Sequence, residues 1–193
     1  MRIRATENGD AETVARLLLE ADDTRVVSAE GIRHMRRNVP ERARMVELVA
    51  EVDGAVVGSG AAGLDTSTST EGAGWAFVTV DPACRGRGIG DALGRRLLDH
   101  LRKIDSTNAT SFFRSSEEGE RWASARGWSK VLGGPLIAVD PRGVPEPSPP
   151  AGYRCVSMSE VAAETVFETV REAALDEPTP VPHDDYRLDD FLR

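Results

Sequence analysis

Cysteine, histidine and long apolar runs are all scarce in this chain. Only 2 of its 193 residues are cysteine. Cys84 and Cys155 lie far apart and fit no metal or redox spacing, so both read as reduced thiols of a cytoplasmic protein. His34, His100 and His183 are scattered without metal-ligand spacing, and no metal is expected. No stretch approaches the ~20 apolar residues that a membrane span needs. The opening MRIRATENGD has no apolar run of the kind a secretory leader carries.

Positive charge is also in deficit. The net charge is -8. Residues 1–150 carry 20 Lys and Arg against 22 Asp and Glu, whereas residues 151–193 carry 4 against 10. The first part is nearly neutral and the acidity belongs to the tail. This balance argues against nucleic-acid binding and mildly favours an amine or otherwise basic substrate. Solubility alone would account for it equally well.

The rest of the chain alternates strand and helix signals. Arg2–Thr6 reads as a first strand, and Asp10 as the cap of a helix whose Val14, Leu17, Leu18 and Ala21 share one face. Ser28 caps a second helix that ends before Pro40. MVELVAEV and AVVGSGAAGL flank Asp53-Gly54, a strong hairpin signal. DTSTSTEG reads as a loop, and Gly74–Val80 as a strand stopped by Asp81-Pro82. A leucine-striped helix from about Gly88 to Lys103 follows, then a short strand ATSFFR. A helix capped by Ser115 or Ser116 and stopped at Gly127 precedes two closing strands, WSKVL and PLIAVD. The proline-rich segment 141–152 reads as an extended linker. Beyond it, YRCVS reads as a strand and Ser157 to Ala174 as a helix with a capping box, Ser157 and Glu160. That order echoes the opening of the chain, as if a second copy of one fold began there.

The glycine run Cys84-Arg85-Gly86-Arg87-Gly88-Ile89-Gly90 stands where strand turns into helix. It misses the spacing of the dinucleotide fingerprint and lacks the Gly-Lys-Ser/Thr of a phosphate-binding loop. A merely flexible turn is the plain alternative. Glycines let backbone N–H groups approach a ligand closely, and the helix start leaves its first N–H groups unpaired. With the helix dipole and two arginines beside it, such a nest suits a pyrophosphate.

Read with the strand before it, FVTVDPACRGRGIGDALGRRLLDHL resembles the acyl-CoA-binding segment of the GCN5-related N-acetyltransferases (GNAT). The family pattern R/Q-x-x-G-x-G/A is met by Arg85-Gly86-Arg87-Gly88-Ile89-Gly90, and the element order agrees over residues 2–140. The resemblance implies a GNAT fold of the α/β (α+β) class: a mixed, mostly antiparallel sheet of six to seven strands, splayed into an acyl-CoA cleft. It also implies a tandem arrangement: a domain at 1–140, a linker at 141–152 and an incomplete second domain at 153–193. Acetyl-CoA would be the co-substrate. Arg85, Gly86, Arg87, Gly88, Ile89 and Gly90 would cradle its pyrophosphate, and the peptide groups of Val78, Thr79 and Val80 would pair with the pantetheine arm.

The implied activity is acetyl transfer to a primary amine, in a small molecule or a protein, by direct attack. Partners would be such an acceptor and, in some arrangements, a second copy in a homodimer; nucleic acid and membrane are not expected. The catalytic groups are harder to read. Many family members carry a Glu near the place of Gly74 and a Tyr at the place of Ala123. Glu71 is a weak candidate base, and Asp65 and Glu51 are weaker ones. Tyr153 and Tyr186 lie beyond the linker, and Ser115, Ser116 and Ser124 are minor candidate donors. Cys84, beside the phosphate-binding end, lacks a His/Asp partner pattern for covalent catalysis. The alternative is a non-catalytic acetyl-CoA-binding or regulatory domain of a tandem protein. A pure interaction domain ranks last, because it leaves the nest unexplained.

Overall fold

The computed structural model describes residues 1–193 apart from 23, 135–138, 146 and 147. Four antiparallel strands form one sheet in chain order: β1 (Arg2–Ala5), β2 (Val46–Val52), β3 (Ala55–Leu64) and β4 (Gly74–Val80). The β2–β3 hairpin turns on Asp53 (φ 52°) and Gly54 (φ 81°). Both are left-handed, as a two-residue turn matching the strand twist requires. A β-bulge interrupts the β2–β3 register between Ala50 and Glu51.

Helices cover both faces. Val49 packs with α1 (Ala11–Ala21) and with Ile32 of α2 (Ala29–Asn38). Its neighbour Ala50 packs with Ile89 and Leu93 of α3 (Ile89–Lys103). Successive strand residues point to opposite faces, so α3 lies on one side of the sheet and α1 and α2 on the other. Ile89, Leu93, Leu97 and Leu101 recur every four residues and are all buried. Two glycines of β3 let α3 come close. A Cβ at Gly60 would stand 2.8 Å from Leu97 Cδ1, and one at Gly58 3.2 Å from both Ile89 and Leu93. Gly58 and Gly60 are therefore a groove for the apolar stripe of α3.

The expected caps form in part. Ser28 Oγ accepts the Gly31 N–H at 3.0 Å, and Ser116 Oγ that of Gly119 at 3.1 Å, opening α4 (Glu117–Ser124). The Ser157–Glu160 capping box also forms, but it closes only the single turn Met158–Glu160. Val161 is extended, and α5 runs from Ala163 to Ala174.

The sheet is smaller than the six to seven strands expected. Among the described residues, ATSFFR contributes one parallel bridge, Thr110 beside Trp75, rather than a strand. Phe112 instead stacks on Phe77 at 6.4 Å, and among the described residues no strand pairs with the β4 edge beyond that bridge. Residues 128–132 form no strand, and Gly133-Gly134 follow at once. Positions 135–138 of PLIAVD lie outside the described residues. YRCVS forms no strand either: a lone short run gains nothing from extension without a neighbour to pair with.

The acidic tail docks on the first part of the chain. Asp184 accepts the Ser69 N–H at 2.7 Å and its hydroxyl at 2.8 Å, and the Asp185 N–H donates to Ser67 O at 2.9 Å. Arg42 pairs with Asp185 at 3.3 Å and with Asp190 of α6 (Leu188–Phe191). Phe167 of α5 meets Phe191 of α6, ring centroids 5.6 Å apart. No described helix is long and apolar enough to cross a membrane.

Candidate active site

The glycine run forms a bend of exposed backbone that ends at the start of α3. Asp81 Oδ1 accepts the Ala83 N–H at 2.9 Å, setting a single turn at Pro82–Cys84. Gly86 (φ 72°) and Gly88 (φ 76°) then take left-handed conformations, and Gly88 is the N-cap of α3. The first bond of the helix runs from the Ala92 N–H to Gly88 O at 3.0 Å. The N–H groups from Gly86 to Asp91 find no acceptor among the described residues. Arg85 and Arg87 are exposed beside them. A Cβ at Gly86 or Gly88 would meet nothing within 4 Å, so the concave side is open. Unpaired donors, the helix dipole and two guanidinium groups together make an anion nest. Ile89 points the other way, into the core under α3. Cys84 packs against that same core, which gives its thiol a structural place.

The β4 edge divides the run Val78–Val80. The Asp81 N–H bonds to Val57 O at 2.9 Å, and the β3–β4 register pairs Thr79 with Ser59 and Phe77 with Ala61. Odd-numbered residues of β4 thus direct their peptide groups to β3. Even-numbered ones face the outer edge, where the Ala76 N–H reaches Thr110 O at 3.0 Å and Gly74 O accepts from Thr110 at 2.8 Å. Beyond that bridge, Val78 and Val80 turn their peptide groups outward, and the Val80 carbonyl accepts from Arg85 Nε at 3.4 Å. The Thr79 peptide is committed to β3.

On the face opposite α3, Trp75, Phe77 and Phe112 form an aromatic ledge, with Trp75 and Phe77 5.5 Å apart. Trp75 Nε1 donates to Leu64 O at 3.2 Å, which fixes the ring.

The acetyltransferase (GNAT) family model matches residues 15–115, over half the chain. The chain belongs to the GNAT family. Solved structures share its fold. A ribosomal-protein-alanine N-acetyltransferase from Brucella melitensis is 20% identical with a TM-score of 0.58, covering 66% of this chain and 83% of its own. An acetyltransferase from Trypanosoma brucei is 25% identical with a TM-score of 0.54, covering 72% and 99%. A phosphinothricin acetyltransferase from Sinorhizobium meliloti, solved with AcCoA, is 18% identical with a TM-score of 0.57, covering 65% and 73%. No curated protein matches the chain in sequence.

The positions at which the family resemblance implies catalytic groups carry other residues in this GNAT domain. Gly74 leaves no room for a side chain. A Cβ there would stand 2.3 Å from Ser106 Oγ and 2.8 Å from Asn108 O. The absent carboxylate is thus a packing requirement of the turn that carries Thr110. Gly74→Ala is expected to lower stability by about 1–2 kcal/mol in urea denaturation, through overpacking. Stability equal to that of the unsubstituted chain would show that the turn yields freely.

Glu71 is exposed on a turn beside the C-terminal end of α3, where its carbonyl accepts from Thr107. It precedes Val78 by seven residues and lies in the turn before β4 begins at Gly74. Asp65 Oδ1 is engaged by Ser67 at 2.9 Å from the backbone. Glu51 binds Arg4 at 2.7 Å. Ser115 donates to Glu120, Ser116 serves as a cap and Ser124 is exposed. Ala123, where the resemblance implies a Tyr, is buried. Tyr153 is 75% exposed. Tyr186 is brought to the Asp65–Thr70 loop by the docked tail; burial pushes its hydroxyl pKa up, and the charges of Glu177 and Asp65 add to that. Among the described residues, no cluster of His, Cys, Asp and Glu is arranged for a metal.

One cluster at the nest escaped the sequence reading. Arg126 Nε donates to Asp91 Oδ1 at 2.6 Å, and its guanidinium lies 4.5 Å over the Trp122 ring. Its one sequence signal was the four-residue spacing of Trp122, in the last turn of α4, and Arg126, in the turn that follows.

Proposed function

We propose that this domain binds acetyl-CoA and transfers its acetyl group to a primary amine. The observation that carries the reading is the row of unpaired N–H groups from Gly86 to Asp91 at a helix start. Arg85, Gly86, Arg87, Gly88, Ile89 and Gly90 hold the diphosphate through backbone donors and two cations. The pantetheine arm lies along the outer edge of β4 against the peptide groups of Val78 and Val80. The N–H of Val78 is then the donor for the thioester oxygen, which gains negative charge as the amine attacks. The C–N bond forms as the C–S bond breaks, and the proton that the amine nitrogen gives up ends on the departing thiolate, leaving a neutral amide and a free thiol. The ledge of Trp75, Phe77 and Phe112 gives the acceptor an aromatic wall. On this reading the protein works in the cytoplasm, and residues 153–193 begin a second unit docked on the first.

A second reading is favoured by Gly74 and Ala123. With neither a carboxylate nor a Tyr at those places, the domain binds acetyl-CoA as a regulatory half of a tandem protein and leaves the chemistry to another domain. Calorimetry with acetyl-CoA tests what both readings share: saturable heat is expected, and its absence rejects both. A thiol-release assay over polyamines, aminoglycosides, amino acids and peptides separates them. Turnover supports transfer, and binding with silence across the panel supports the regulatory reading.

A further inference from the structure

We propose that Arg126, in the turn that follows α4, sets the charge of the diphosphate nest by neutralising Asp91, and so tunes acyl-CoA affinity from outside the glycine loop. The inference rests on the acetyl-CoA reading above and adds a positioning residue to it. Asp91 stands in the first turn of α3, and its own N–H is among the unpaired donors of the nest. A carboxylate there favours the helix dipole in the empty domain. For a bound diphosphate it is a like charge at close range. A nest built for an anion thus contains an anion of its own.

Arg126 answers that conflict. Its Nε and Nη2 both lie 2.6 Å from Asp91 Oδ1. Nη1 donates to Trp122 O at 2.9 Å, and the guanidinium plane lies over the Trp122 ring. The group is therefore held in place by a carboxylate, a carbonyl and an aromatic face. Arg126 also keeps the Asp91 carboxyl below its ordinary range, so the neutralisation is by ion pairing and not by protonation. Trp122 completes the arrangement. Its ring reaches within 3.9 Å of the point where a Cβ on Gly90 would stand, so α4 rests on the glycine run itself. The position of α4 and the net charge of the nest are one variable. Losing Arg126 while Asp91 remains lowers the local charge by one unit, although the backbone donors stay in place.

The test is a charge cycle by calorimetry with acetyl-CoA at low ionic strength, using the full chain, Arg126→Gln, Asp91→Asn and the double variant. Arg126→Gln is expected to weaken binding by about 10-fold, and Asp91→Asn to tighten it. The double variant should return to within about 2-fold of the unsubstituted chain, and the Arg126→Gln deficit should shrink in 0.5 M salt. Arg126→Lys, which keeps the charge, should retain most of the affinity. Thermal unfolding of each variant without ligand checks that the fold persists. A double variant as weak as Arg126→Gln overturns the inference, since Asp91 would then be irrelevant to the loss. Unchanged affinity in Arg126→Gln overturns it as well. If the unsubstituted chain itself fails to bind, the acetyl-CoA reading falls and takes this inference with it. If it binds and the cycle is flat, the inference alone falls.

Discussion

Gly88→Asp is expected to abolish acetyl-CoA binding while leaving the domain folded. Gly88 caps α3 with φ 76° and ψ 5°. That left-handed conformation costs most L-residues about 1 kcal/mol, and Asp tolerates it better than most. Nothing lies within 4 Å of a Cβ there, so no clash adds to the cost. The fold therefore survives. The nest does not, because a carboxylate now occupies the mouth of the row of donors at 86–91 and the helix start stabilises it in place of the ligand. The expected loss of affinity exceeds about 100-fold, since one of the competing anions is covalently attached. Gly88→Ala separates charge from backbone: it carries the same strain without the carboxylate and should weaken binding only several-fold. Affinity for acetyl-CoA within a few-fold of the original in Gly88→Asp, measured by calorimetry, would place the diphosphate elsewhere.

That loop was also the most legible part of the chain. The glycines, the arginines and the leucine stripe of α3 are local signals, written within a few turns of each other. The Asp53-Gly54 hairpin and the Ser28 cap are equally local, and each formed as read. The failures share a cause. A strand exists only against a partner, and the partners of ATSFFR, WSKVL and YRCVS lie far off in sequence or nowhere in the described chain. Thr110 finds β4 for a single bridge, and then Phe112 turns to Phe77. The site shows the same division. The donors of the nest follow from the run of residues 85–91 alone. The pairing of Asp91 with Arg126 spans 35 residues, and the docking of Asp185 on Arg42 spans 143. No local pattern announces either. The sealed position of Gly74 is a third case: the sequence shows that a carboxylate is missing, but only Ser106 and Asn108 show why none fits.

The second large effect concerns the ion network that ties β1 to the start of α1. Arg4 reaches Asp10 with two nitrogens, at 2.7 and 2.8 Å, and Glu51 with a third at 2.7 Å. The side chains of Arg4, Asp10 and Glu51 are only 17%, 10% and 19% exposed. Asp10 also accepts the Glu7 N–H at 2.7 Å, so one carboxylate organises the turn from strand to helix. Removing the cation leaves two carboxylates facing each other with little water. Arg4→Met is therefore expected to lower stability by about 3 kcal/mol near neutral pH, the lower end of what breaking a buried pair costs. The pH dependence gives the stricter test. Arg4 holds the Asp10 carboxyl below its ordinary value of 3.8, against the opposing effect of burial. A carboxyl with a depressed folded pKa contributes stability that is fully present above its unfolded pKa. That contribution is lost as pH falls through the folded value. The unsubstituted chain should thus lose stability below about pH 4, while Arg4→Met, lacking the pairing, has less to lose there. Urea denaturation at neutral pH and near pH 3 should show the gap between the two proteins narrowing in acid. A gap that stays constant with pH would mean that Arg4 supports the strand by packing alone, and that the network is an ornament of its surface rather than the clamp that starts the fold.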